Sequence, residues 1–139
     1  MQTLKEIVLF LWQLPQNVIG CITLLVTGCN MKSKVIDGKE YYYFVATRFN
    51  NSWSGVSLGR FVVFSYEYVD DNSVKHEHGH QRQSLYLGWL YLFIIGIPSF
   101  FGNIWDRLFH SNWYMHEREE WYYKQPWEHW ADKLGKVER

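Results

Sequence analysis

Residues 71–88 read DNSVKHEHGHQRQSLYLG, and the reading of the fold starts from them. Asp71, Asn72 and Ser73 are all good helix N-caps, because a short polar side chain can accept a hydrogen bond from the free N–H groups of a first turn. A helix is therefore predicted from about residue 71 toward Gly88. Inside it, residues 76–80 read His-Glu-His-Gly-His and contain the pattern H-E-x-x-H. Two helical residues four apart are separated by about 40° around the axis and about 6 Å along it. The imidazoles of His76 and His80 can therefore reach one metal ion. Glu77 falls beside that face, where a carboxylate can take a proton from a water acidified by the metal and later pass it to a leaving amine. His78 projects about 200° away from His76 and lies off the face. The plainer alternative is a polar helix whose histidines only form hydrogen bonds, and the five residues alone do not exclude it.

A catalytic zinc ion usually takes three protein ligands and keeps one open position. The metzincin pattern would place its third ligand at residue 86 and a glycine at 83. Gln83 and Tyr86 stand there, which excludes that class. Further along, residues 128–135 read Glu-His-Trp-Ala-Asp-Lys-Leu-Gly. In a helix Glu128 and Asp132 share a face as an i, i+4 pair, so Glu128 can bind zinc while Asp132 orients a ligand histidine. Ala131, on the same side, is small enough to let this helix approach Gly79 closely. His129, His110 and His116 are alternative third ligands, which would give a three-histidine site.

The pair H-E-x-G-H and E-x-x-A-D-x-L-G resembles the gluzincin metallopeptidases, especially the minimal minigluzincins and the HtpX and CAAX prenyl protease group. The likeness is local, covering residues 76–80 and 128–135 closely and the stretch 55–65 more loosely. It implies Zn²⁺ as cofactor, His76, His80 and Glu128 as ligands, Glu77 as general base, Asp132 as an outer orienting carboxylate, and a peptide or protein as substrate. It also implies an edge strand at 55–65 that aligns the substrate backbone above the metal. It does not place a transition-state stabiliser, for which His116, Tyr114, Tyr122 and Arg82 are the candidates.

The rest of the chain is read as support for this site. Residues 40–49 and 55–68 are rich in aromatic and β-branched residues and flank the turn-forming NNSWS, so two antiparallel strands are expected. Along 55–65, Val56, Leu58, Arg60, Val62 and Phe64 alternate with Gly55, Ser57, Gly59, Phe61, Val63 and Ser65. Residues 7–28 carry no charge, but Gln13, Pro15, Gln16 and Asn17 interrupt them, and a helix that kinks at Pro15 is expected. A second uncharged run, 84–105, is broken at Gly96 and Pro98, and a short helix should follow Pro126. Both runs have the length of a membrane span, and Trp12, Trp89, Tyr91 and Trp105 suit an interface. The prolines nevertheless divide the runs into pieces typical of core helices, which favours burial or interfacial attachment over spanning. Membrane-associated and cytoplasmic locations both stay open.

At 139 residues the chain is one domain over residues 1–139, with residues 1–30 as an apolar helical segment, and its class is α+β: a small antiparallel sheet, a zincin-like motif helix, a bent apolar helix and a C-terminal ligand helix. Lys plus Arg and Asp plus Glu both number 14, so no net field exists to recruit nucleic acid. Cys21 and Cys29 lack the partners for a zinc ribbon. Each ends a box similar to a lipoprotein cleavage site, but Glu6 and the polar break at 13–17 argue against a signal peptide. Besides a zinc endopeptidase, two other functions fit the sequence: a structural or toxin-associated membrane module that binds no metal, and a zinc-containing peptide-binding module without turnover.

Overall fold

Asp70, one residue ahead of the three caps considered above, opens the motif helix. Its carboxylate accepts hydrogen bonds from the Ser73 N–H (3.1 Å) and the Ser73 hydroxyl (2.6 Å). The computed structural model describes residues 1–49 and 53–139. In chain order the elements are α1 (Gln2–Trp12), α2 (Leu14–Thr27), β1 (Cys29–Ile36), β2 (Lys39–Ala46), β3 (Gly55–Leu58), β4 (Phe61–Phe64), α3 (Asp71–Leu87), α4 (Ile97–Phe109), α5 (Met115–Tyr123) and α6 (Pro126–Gly135). The α+β class holds.

The sheet has the order β1-β2-β4-β3 and is mixed rather than wholly antiparallel. β1 and β2 form a hairpin closed by Asp37 and Gly38, both at positive φ (50° and 78°), the conformation that an Asp-Gly pair accepts in a tight turn. The stretch 55–65 is two strands, because the chain reverses at Gly59 (φ 64°) and Arg60. That reversal sends β4 back alongside β2 in the same direction, and they pair through Phe44↔Val63 and Val45↔Phe64. β3 is thereby left at the edge. Of the turn expected at 50–54, residues 50–52 lie outside the described residues.

The core lies between this sheet and α3: Ile36, Tyr43, Val45, Val62, Phe64, Val69 and Val74 are buried together. α6 packs against α3 with little separation. A Cβ added at Gly79 would collide with the Ala131 carbonyl, and one at Gly135 with the Lys75 carbonyl. Gly79→Ala is therefore expected to push the helices apart and cost about 1–3 kcal/mol, as overpacking of a close contact does. A thermal melt lowered by several degrees checks this, whereas an unchanged melt would show that the helices have slack.

The two uncharged runs contribute little to the core, chiefly Tyr91 and Ile95. α1 and α2 meet at Gln13, two residues before Pro15, with a bend of 88°. The second run is spread over the end of α3, a 3-10 turn at Gly88–Leu90, a π-helical turn at Leu92–Gly96, and α4, and it bends by 119° near residue 91 rather than at Gly96 or Pro98. Pro98 sits in the first turn of α4, where its missing N–H costs nothing. Neither α1 nor α4 buries a single residue, whereas Gln16, Asn17, Tyr91 and Ile95 of the same runs are buried, so burial holds for part of each run only. Among the described residues no single helix is long and apolar enough to cross a membrane.

Candidate metal centre

Helix α3 presents His76, Glu77 and His80, and α6 brings Glu128 and Asp132 against them. His76, His80 and Glu128 are buried and their donor atoms lie within 4.8 Å of one another, a group that can hold a metal ion. The Nε2 atoms of His76 and His80 converge on the same Glu128 oxygen, Oε2, at 3.1 and 3.0 Å. Ligand atoms placed about 2.0–2.1 Å from a tetrahedral ion stand roughly 3.3 Å apart, so the spacing is close to that of a ligand set.

The outer partners fix what each imidazole offers. His76 Nδ1 donates to Asp132 Oδ1 at 2.7 Å, and Asp132 is held in turn by Arg139, whose Nε reaches Oδ2 at 2.7 Å and whose second amine reaches Oδ1 at 3.1 Å. His80 Nδ1 meets Gln83 Oε1 at 2.6 Å, while the Gln83 amide nitrogen donates to the Trp127 carbonyl at 2.8 Å. Because that amide must donate to a carbonyl, its oxygen faces His80, and His80 Nδ1 must carry the proton. Both Nε2 atoms then turn either a lone pair or a second proton toward one carboxylate oxygen. A cation resolves the first arrangement. Glu128 Oε1 is also buried without a hydrogen-bond partner, although a buried carboxylate oxygen normally has one. An orphaned carboxylate oxygen and two oriented imidazoles are a donor set suited to a divalent metal ion.

In the metal-free chain the electrostatics favour the second arrangement at His76, a protonated imidazole paired with carboxylates. Burial works against the charged form of His76, but the hydrogen bonds to Asp132 and Glu128 outweigh it and raise its pKa to about 9. Burial also opposes ionisation of Glu128, yet the charges of His80 and His76 and their hydrogen bonds hold its carboxyl well below the usual range. Asp132 is likewise lowered against its burial, through His76 and Arg139. Glu77 differs: burial raises it above the ordinary carboxylate value, and the two histidines only partly oppose this.

The site opens into a cavity of about 1090 Å³, lined by His76, Glu77 and His80, by Gly55–Leu58 of β3, and by Tyr91, Tyr122 and Tyr123. Glu128, with no exposed surface, closes the back. Gly55 lets the Glu77 carboxylate come near β3, since a Cβ there would stand 3.2 Å from Glu77 Oε1. In a two-residue hairpin the residues flanking the turn exchange hydrogen bonds, so the backbone groups of Ser57 face outward from the edge. The Tyr91 hydroxyl donates to the Ser57 carbonyl at 3.1 Å.

Other candidates fall away from the cluster. His110 bonds Asp106 at 3.2 Å and stacks on Trp113, and His116 and His129 are exposed. His78 bonds the Val74 carbonyl and meets Tyr41 edge-on, away from the ligand face. Of the four residues considered as transition-state stabilisers, only Tyr122 lines the cavity; Tyr114, His116 and Arg82 do not. Burial and the nearby Glu128 keep the Tyr122 hydroxyl protonated far above neutral pH, and it pairs with Ser99 at 3.1 Å. Sequence reasoning missed Arg139, Tyr123 and the role of Gln83. No protein family, no curated protein and no solved structure matches this chain.

Proposed function

We propose that the chain is a zinc-dependent peptidase in which His76, His80 and Glu128 hold the ion and Glu77 is the general base. The observation that carries this reading is the convergence of two Nε2 atoms on Glu128 Oε2 directly behind a cavity that Glu77 and a sheet edge share. When bound, the ion supplies a Lewis acid and lowers the pKa of water toward neutrality. The chain's own residues do the rest. Glu77, whose pKa burial raises, is thereby a better proton acceptor than an ordinary carboxylate and can return the proton to a leaving amine. The outward N–H of Ser57 offers an extended peptide a backbone hydrogen bond, in the manner of strand addition at a sheet edge. Tyr122, a protonated hydroxyl in the same cavity, can donate to a developing oxyanion.

Metal analysis tests the first half of this reading. About one zinc per chain is expected, and a His76→Ala, His80→Ala double variant should lose it. Full zinc in that variant would remove the site. Because His76 must release a proton to bind, apparent zinc affinity should fall by about tenfold for each pH unit below 9, which competition titration measures. In the metal-free chain the sign for folding is set by the same raised pKa. The stability contributed by protonated His76 is complete below about pH 6.5 and is lost as pH rises through 9. Hydrolysis of a peptide library by the zinc-loaded chain tests the second half. Zinc without turnover would leave a peptide-binding module.

A further inference from the structure

Helix α2 is turned inside out for a helix in water. It buries Gln16, Asn17, Gly20 and Thr27, while Val18, Ile19, Ile22, Leu25 and Val26 are exposed, Leu25 at 79%. Apart from Gln16 Oε1, the side-chain polar atoms of Gln16 and Asn17 are used internally. Gln16 donates to the Ser84 hydroxyl (2.9 Å) and the Gly88 carbonyl (2.8 Å), Ser84 donates to Gln13 (2.7 Å), and Asn17 bonds the Phe10 carbonyl and the Arg60 N–H. The hydrophobic effect in water selects the opposite orientation, whereas a hydrocarbon solvent selects this one.

The second uncharged run continues the same face. Trp12 donates its indole N–H to the Leu85 carbonyl (2.8 Å) and Trp89 to the Leu11 carbonyl (2.9 Å), which ties the two runs together. Both rings stay about half exposed with their only polar atom already used. α4 adds exposed Phe100, Phe101 and Leu108. The accessible surface is 8946 Å², against roughly 7,600 Å² for a compact monomer of this mass. The excess is comparable with a whole standard interface.

We infer that this face, formed by α1, α2, the turns at 88–96 and α4, is seated in one leaflet of a lipid bilayer. Charge and length choose the bilayer over a second copy of the chain. Residues 7–28 and 84–105 carry no charge, and the cations at their outer ends, Lys5 and Arg107, pair with nothing among the described residues, as suits lipid phosphates. α1, α2 and α4, of 11, 14 and 13 residues, span only about 16–21 Å each, too short for a hydrocarbon core of about 30 Å. The bends of 88° and 119° turn them along the surface rather than through it. Ile19, Phe93, Ile97 and Phe100 belong both to this face and to the cavity wall, so the candidate metal centre opens at the lipid side.

Flotation of the full chain with phosphatidylcholine vesicles, with and without phosphatidylglycerol, tests the inference without reference to catalysis. The chain should float with both and more strongly with the anionic mixture. A Leu25→Asp, Phe101→Asp, Leu108→Asp variant, none of whose sites lines the cavity, should lose at least about tenfold in bound fraction with an unchanged circular dichroism spectrum. Lys5→Gln with Arg107→Gln should abolish only the anionic preference, and it decides the matter if the triple variant does not fold. A chain that stays unbound with every vesicle overturns the inference. So does a lipid-free dimer that dissolves on the triple substitution, because a second copy then covers the face.

Discussion

Glu77→Gln is expected to leave one zinc per chain in place, to lower peptide hydrolysis by about 10²–10⁴-fold, and to raise the melting temperature of the metal-free chain. Zinc stays because the convergent donor atoms belong to His76, His80 and Glu128, and Glu77 is not among them. Turnover falls because an amide cannot accept the proton that a general base must take. The rise in stability follows from the sign of the pKa shift. A carboxyl whose folded pKa is raised by burial is held in an unfavourable place when ionised, so its charge destabilises the fold above its unfolded pKa. Gln has the same shape without that charge and fits the space that Gly55 leaves. Opposite movements of activity and stability are the signature of a functional group held at a cost to the fold. Loss of zinc together with a lower melting temperature would instead make Glu77 a ligand or a structural carboxylate.

The parts of the site that could be read in the sequence are those governed by helical periodicity. His76 and His80 share a face because they are four apart, and Glu128, Ala131 and Asp132 do so for the same reason. Gly79 facing Ala131 was legible because close helix packing requires small residues on both sides. Gln83 was visible only as the residue that breaks the metzincin pattern, although its fixed amide sets the His80 tautomer. Arg139 gave no local signal, since it acts across α6 through the fold. The strands were harder. β1, with Asn30, Met31, Lys32 and Ser33 exposed, has little hydrophobic alternation and depends on its register with β2. Reading 55–65 as one strand overlooked the reversal at Gly59, whose conformation only the turn demands. The apolar runs were legible as broken helices but not as to which residues they bury, because Gln16 and Asn17 turn inward through hydrogen bonds to residues distant in sequence.

Zinc affinity should fall in a graded series as substitutions move outward from the ion, and that series separates a metal centre from a buried polar cluster. Glu128→Ala removes a ligand and should weaken zinc binding by several orders of magnitude. Asp132→Ala leaves three ligands but frees His76 Nδ1, and a loss on the order of 10–100-fold is expected. Arg139→Ala acts one step further out. Its guanidinium holds both Asp132 oxygens and lies 3.3 Å from the centre of the Tyr123 ring, which itself meets His76 edge-on at 5.1 Å. Without it, Asp132 keeps its bond to His76 and loses its orientation, so the loss should be smaller than for Asp132→Ala. Arg139→Lys restores the charge and only one of the two hydrogen bonds, and should recover part of the affinity. In an Asp132→Ala background, removing Arg139 should change zinc affinity little, because its route to His76 is already cut. Equal losses for Arg139→Ala in both backgrounds would mean that Arg139 acts through Tyr123 or through the fold instead of through Asp132. A purely structural cluster would show the melting temperatures falling in this order while zinc affinity stayed level across the series.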